Sequence, residues 1–196
     1  MQASAGTKQQ ILEAAFETLR EEGFSAASSR AVARRGGFNQ ALVFYYFGSM
    51  DGLLLAALDW TNGRRLAAYR EVLADAPTVE QALAAATRLF GEDLESGHIT
   101  VVSQMIAGSV SRPELAPQML KRMEPWLELC ERTLERIAGE SPLTAVVDRK
   151  ELAYAIVTFY LGANLLTHLE ADRARVDALI ARLRELGPLV GGLLGA

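Results

Sequence analysis

Apolar positions recur at spacings of three and four almost from end to end of the chain. Ile11, Leu12, Ala15, Phe16 and Leu19 make the first stripe, and a face that repeats every 3.6 residues predicts an amphipathic α-helix. Thr7 and Gln10 stand where a capping box would open that helix, and Gly23 ends it. Ser28 or Ser29 can cap a second, short helix through Val32 to Arg35, which Gly36 and Gly37 break. Asn39 can cap a third over 40–47. Gly48 and Ser49 separate it from a fourth, running from Met50 to about Leu73. Further helices are expected over 78–94 and 98–110. A stretch from Glu114 should break at Pro117 and Pro125 and resume to Ile137. Two more are expected over 146–169 and 173–186. Almost no segment alternates with period two, so the predicted fold is all-α.

Composition narrows the class. Half of the 196 residues are apolar, enough for a folded chain with a sizeable core. The net charge of −4 argues against a protein coated all over in nucleic acid. Charge is uneven, however. Between Ser25 and Met50 the only charged side chains are Arg30, Arg34 and Arg35, a local anion-attracting patch on an acidic protein. Cys130 is the only cysteine, which excludes an intrachain disulfide and suits a reducing compartment; it reads as a small buried apolar residue. The opening residues MQASAGTKQQ contain no apolar signal core, so a cytoplasmic protein is expected. Residues 152–169 carry no formal charge and raise the question of a membrane span. Asn164, His168, two threonines and two tyrosines interrupt them. The segment is therefore expected to be buried on several sides, by its own domain and by a partner chain.

Signals for catalysis are poor. His98 and His168 lie far apart, and neither an H-E-x-x-H pair, a G-x-G-x-x-G loop nor a G-x-S-x-G turn occurs. No catalytic residue, metal or cofactor is expected. The carboxylates are scattered along helices, as solvated faces usually are.

Two short helices meeting at Gly36-Gly37-Phe38 after a longer one have the layout of a helix-turn-helix. Glycine supplies the positive φ of the turn. Phe38, Val43 and Phe47 are expected on the inner side of the third helix. Gln40, Ala41, Leu42, Tyr45 and Tyr46 are expected near its start or on its outer side. Gln40 could pair with adenine, and Ala41 or Leu42 could pack on a thymine methyl.

Here the chain resembles the tetracycline-repressor-like (TetR) family of bacterial transcriptional regulators. That family's pattern T-x-R-x-I-A-x-x-A-G-V-S-x-G-x-L-Y-x-Y-F-x-S-K-E-x-L is met by SSRAVARRGGFNQALVFYYFGSMDGL, residues 28–53. The resemblance extends over about 7–58. It implies an N-terminal three-helix helix-turn-helix domain, residues 1–48, and a larger C-terminal helical domain for ligand binding and dimerisation, 49–196. It also implies a ligand-responsive repressor that binds double-stranded operator DNA as a homodimer. By position, Ser28 should meet phosphate, Arg30 base edges or phosphate, Gln40, Ala41 and Leu42 bases, and Tyr45 and Tyr46 bases or backbone. Asn39 replaces the family's capping serine. Phe44 replaces its usual tyrosine and Met50 its usual lysine, so backbone attachment should be weaker unless Arg34, Arg35 or Lys8 compensates.

In the remainder, Met and aromatic residues can line an adaptable cavity. Trp60, Phe90, Gln104, Met105, Met123, Trp126 and Phe159 are the candidates, with His98 and Asn164 as polar groups that orient a ligand or satisfy neighbouring backbone. With no cluster of charge among them, the expected effector is a small apolar or aromatic molecule. Two stripes, Leu152, Ile156, Phe159, Ala163, Leu166 and Val176, Leu179, Ile180, Leu183, Leu186, suit a four-helix dimer interface built from 146–169 and 173–190. Two other readings fit the same pattern. One is a helical ligand-binding or enzymatic protein of this fold that does not bind DNA, favoured by Phe44 and Met50. The other is a helical adaptor that binds only protein.

Overall fold

The computed structural model describes residues 2–138, 147–170 and 172–185. Among them the structure is all helical, with nine α-helices and one short 3-10 turn. In chain order these are α1 (Gln2–Glu22), α2 (Ser29–Gly36), α3 (Ala41–Phe47), α4 (Met50–Ala74), α5 (Val79–Ser96), α6 (His98–Ser111), the turn Pro113–Leu115, α7 (Ala116–Ala138), α8 (Arg149–Glu170) and α9 (Ala174–Glu185).

Three expectations are corrected. The first helix starts at Gln2, so Thr7 lies inside it and there is no capping box; Gln10 instead donates from Nε2 to the Gly36 carbonyl at 2.8 Å. The break expected at Pro117 and Pro125 is absent, and one continuous α7 runs through both. Pro117 is in the first turn, where a missing N–H costs nothing. Pro125 removes the donor for the carbonyl of Lys121, a residue exposed to solvent, which lowers the cost of an interior proline. Finally, the carboxylates are not all on solvated faces, because Asp93 is fully buried. The expected limits at 146, 186 and 190, and Leu186 itself, lie outside the described residues.

The chain divides into two compact units. The first holds the described residues up to Arg64 together with Gly97–Arg122. One of its two cores gathers Ile11, Ala15, Val32, Val43, Leu53 and Ala57 from α1 to α4. The other gathers Phe16, Leu19, Leu54, Leu58, Val101 and Met105, with Leu115 and Met119. Arg122 chelates Asp59 with two hydrogen bonds of 2.7 Å. The boundary expected at 48/49, a division by role, falls inside this unit.

The second unit holds Arg65–Ser96 and the described residues from Met123 on. Its core is built from Tyr69, Leu73, Val79, Leu89 and Ile137. α8 is long and apolar enough to cross a membrane by length and composition. Tyr154, Ile156, Phe159, Leu165, Leu166 and Leu169 are exposed on it, and Leu179 on α9, while Ala163 and Val176 are buried.

Candidate nucleic-acid interface

The turn between α2 and α3 owes its shape to two glycines used in different ways. Gly37 has φ of +68° and closes α2 with its N–H on the Ala33 carbonyl, a conformation that a side chain would strain. Gly36 is helical. A methyl there would stand 2.6 Å from Phe38 Cδ1 and 3.0 Å from Ala14 Cβ, so glycine lets the Phe38 ring fold back onto α1. Ser28 caps α2 by accepting the Ala31 N–H at 3.2 Å. Asn39 Oδ1 accepts the Ala41 N–H at 2.9 Å, a turn bond into the start of α3; the cap position expected of Asn39 is held by Gln40, with no side-chain cap bond.

α3 is seven residues long, and five of them are apolar or Phe, so apolar periodicity alone does not select an inner face. Packing does. Val43 is fully buried, and Leu42, Tyr46 and Phe47 pack against the core that it shares with α1, α2 and α4. Gln40 and Ala41 are exposed, Phe44 is 50% exposed and Tyr45 79%. The outer face is therefore Gln40, Ala41, Phe44 and Tyr45. Leu42 and Tyr46, expected on that side, are half-buried. Tyr45 and Tyr46 meet edge to face at 4.9 Å, which fixes the direction of the Tyr45 ring. Met50 is half-buried and packs against both cores.

The three arginines of α2 have separate fates. Arg35 Nη1 donates to Glu21 at 2.7 Å and its Nη2 to Glu22 at 2.9 Å. These bonds hold the guanidinium above its ordinary pKa, and the Glu21 carboxyl below its own. Arg34 lies 3.6 Å from Glu22 and is 67% exposed. Arg30 is exposed and makes no ion pair with another described residue. Arg30 and Arg34 line an open depression of about 420 Å³ with Ala33, Gly37, Phe38 and Gln40. Of the cations expected to compensate for Phe44 and Met50, Arg35 is engaged by carboxylates. Lys8 is exposed, with Nζ 5.7 Å from the Phe47 ring centre, and Arg34 is far more open than Arg35.

The residues expected to meet a ligand are divided between the units. In the first, Trp60 packs edge-on to Phe16 at 6.0 Å and Met105 is fully buried. Gln104 Oε1 accepts the Phe24 N–H at 3.0 Å, and His98 Nδ1 meets Thr61 Oγ1 at 3.0 Å. In the second, Phe90 meets Tyr160 at 5.3 Å and Trp126 meets Tyr69 at 5.2 Å. Met123 is half-buried, Asn164 buried and Phe159 exposed.

Two polar features were not foreseen. Asn62 Oδ1 in α4 is buried and accepts no hydrogen bond from the described residues. In the second unit Asp93 accepts the Tyr69 hydroxyl at 2.8 Å and the Tyr160 hydroxyl on the same oxygen, while Arg65 pairs with its other oxygen. Burial pushes the Asp93 carboxyl up, against the downward pull of Tyr160, Tyr69 and Arg65. Burial likewise raises both tyrosine hydroxyls. No sequence motif marks this network, because its members come from three helices. Among the described residues no group of three or more His, Cys, Asp or Glu side chains could hold a metal ion.

Residues 11–57 match the family described as "Bacterial regulatory proteins, tetR family". The HTH-type transcriptional regulator UidR of Escherichia coli is 22% identical over 190 residues, 97% of this chain and 94% of the relative. The HTH-type transcriptional regulator BetI of Stenotrophomonas maltophilia is 37% identical over 51 residues, 26% of each chain. Among solved structures, the fatty acid degradation regulator FadR from Bacillus halodurans superposes with a TM-score of 0.77 at 19% identity, covering 96% of this chain and 98% of that one.

Proposed function

The chain belongs to the TetR family of bacterial regulatory proteins and is a transcriptional regulator of that type; from this premise we propose that it is a homodimeric, cytoplasmic repressor released from operator DNA by a small apolar or aromatic molecule. The observation that carries the DNA-binding part is the outer face of α3 beside Arg30 and Arg34, which are free of tight carboxylate pairing. Ser28, Arg30 and Arg34 meet phosphate; Gln40, Ala41, Phe44 and Tyr45 meet bases.

A second copy of the chain covers α8 and α9, whose exposed apolar side chains exceed what a lone soluble unit leaves in water. A Cβ added at Gly162 would meet nothing within 4 Å, which leaves room for another helix backbone. Two-fold pairing places two α3 helices on half-sites one helical turn, or a multiple, apart.

The effector acts by preferring one of two separations of the α3 helices, and can shift that equilibrium only by its differential affinity for them. Asn62 Oδ1 is a buried acceptor that a donor on such a molecule would satisfy. The proposed ligand residues are taken unit by unit: Trp60, Gln104 and Met105 in the first, and Phe90, Met123, Trp126 and Phe159 in the second.

Gel-shift against the DNA flanking the protein's own reading frame tests the reading. A retarded band lost on Leu166→Glu, with light scattering showing that this variant is a monomer, supports the dimeric DNA binder. A wild-type protein that is dimeric and retards no DNA sinks the DNA-binding part and favours a ligand-binding or enzymatic protein of this fold.

A further inference from the structure

The outer face of α3 has an unusual inventory for a surface that reads bases. It carries one amide, Gln40, one methyl, Ala41, and two rings, Phe44 and Tyr45, and no charge of either sign. Guanine is read above all by the paired donors of Arg or Lys on O6 and N7, and adenine by the amide of Asn or Gln on N6 and N7. α3 has no Arg or Lys. The Asn39 amide oxygen accepts the Ala41 N–H, which turns that amide toward the start of α3 and leaves Gln40 as the amide on its outer face. Arg30 and Arg34 stand together on the α2 side of the depression, suited to neighbouring phosphates, and Arg35 is held by Glu21 and Glu22. What α3 offers to base edges is therefore mostly hydrocarbon. The group in the major groove that complements hydrocarbon is the C5-methyl of thymine.

Resting on the DNA-binding reading above, we infer that this protein specifies its operator chiefly through thymine methyl groups, packed against Ala41, Phe44 and Tyr45. The ring at position 44 is then a reader of bases. Half of Phe44 is in water in the free chain, although its neighbours Val43 and Phe47 pack inward, so its burial waits for a partner. Arg30 and Arg34 ring the same surface with positive charge, which complements a phosphate backbone rather than an apolar protein face. The Tyr45–Tyr46 edge contact holds the Tyr45 ring out from the helix, so little side-chain freedom is lost when it meets a base.

The probe is a duplex selected from a random DNA library by the full-length protein. Each thymidine of the selected duplex is replaced singly by deoxyuridine, which removes one methyl and leaves every hydrogen-bonding group. At least one position in each half-site should bind about fourfold more weakly, the factor that follows from one buried methyl, and roughly fifteenfold when both half-sites are changed. Phe44→Ala or Ala41→Gly should abolish the difference between thymine and uracil at its own position and leave the salt dependence intact. Both residues are exposed, and circular dichroism melting verifies that each variant folds. If no deoxyuridine changes affinity by as much as twofold, the inference fails; a large effect of 7-deazaguanine, which lacks N7, would then show that an arginine reads guanine. If the library yields no enriched duplex, the DNA-binding reading fails and takes this inference with it.

Discussion

Arg30 and Arg35 lie five residues apart on one short helix and should behave oppositely at DNA. Arg35 is bonded to Glu21 and Glu22 at 2.7 and 2.9 Å, and its charge is spent inside the protein. Arg30 has no such partner. If Arg30 neutralises one phosphate in each half-site, the dimer releases two counterions through it. The slope of log K against log salt then carries about −0.9 per phosphate contact, or about −1.8 in all. Between 50 and 200 mM salt that part of the slope alone corresponds to about twelvefold in affinity. Arg30→Ala should therefore bind more weakly at low salt and lose about twelvefold less affinity than wild type across that range. The charge-neutral double change Arg35→Ala with Glu21→Gln should leave the slope where it was. Fluorescence anisotropy on the selected duplex at five or six salt concentrations measures both. An unchanged slope for Arg30→Ala, or a loss of slope in the double variant equal to that of Arg30→Ala, would refute the division of roles among the arginines of α2.

Three further outcomes follow from the packing. Gly36→Ala gains helix propensity of about 1 kcal/mol but crowds the Phe38 ring and Ala14, an overpacking worth about 1–3 kcal/mol. Thermal unfolding should fall by a few degrees, and Phe38→Leu in the same chain should restore it; a stabilised single variant would contradict the close approach. Asp93→Asn removes the buried partner of Arg65, which keeps the more exposed Glu92 at 3.3 Å and the Leu89 carbonyl at 3.2 Å, so the cost stays below the roughly 3 kcal/mol of a buried charge left unpaired. Adding Arg65→Met should recover most of that loss in chemical unfolding, and failure to recover would show that the two side chains do not act as a pair. Burial raises the Cys130 thiol to about 11. Against a free thiol near 8.5, alkylation at pH 8 should be about two hundredfold slower and rise about tenfold per pH unit. Cys130, expected to be buried, is only half-buried, and prompt labelling at pH 8 would rule out the setting that raises its thiol.

The helices, their order and the helix-turn-helix were legible because each depends on neighbours in sequence: stripes at three and four, the cap at Ser28, glycines at 36, 37 and 48. The outer face of α3 was only partly legible. In ALVFYYF every position is apolar or aromatic, so the period carries little information. The core formed with α1, α2 and α4 decides that Leu42 and Tyr46 turn inward and Phe44 outward. Pro125 misled for the opposite reason. A local rule says that proline stops a helix, yet the remaining hydrogen bonds and packing of a 23-residue helix carry α7 through it.

The Asp93 network was invisible for a stronger physical reason. Its members are Arg65 and Tyr69 on α4, Asp93 on α5 and Tyr160 on α8, and the bonded pair Asp93 and Tyr160 stands 67 residues apart. Each is an ordinary surface residue type where it stands in the sequence, and only the fold converts four scattered polar groups into one buried arrangement. A fully buried carboxylate survives when every oxygen is answered, and here two hydroxyls and a guanidinium answer both. Such a network demands specific positions of α4, α5 and α8, where a greasy core of the same volume would tolerate small slides. α4 also begins at Met50, directly after the Gly48-Ser49 turn that follows α3. Within the second unit, Asp93 therefore gives the end of α4 that carries Arg65 and Tyr69 one defined setting against α5 and α8.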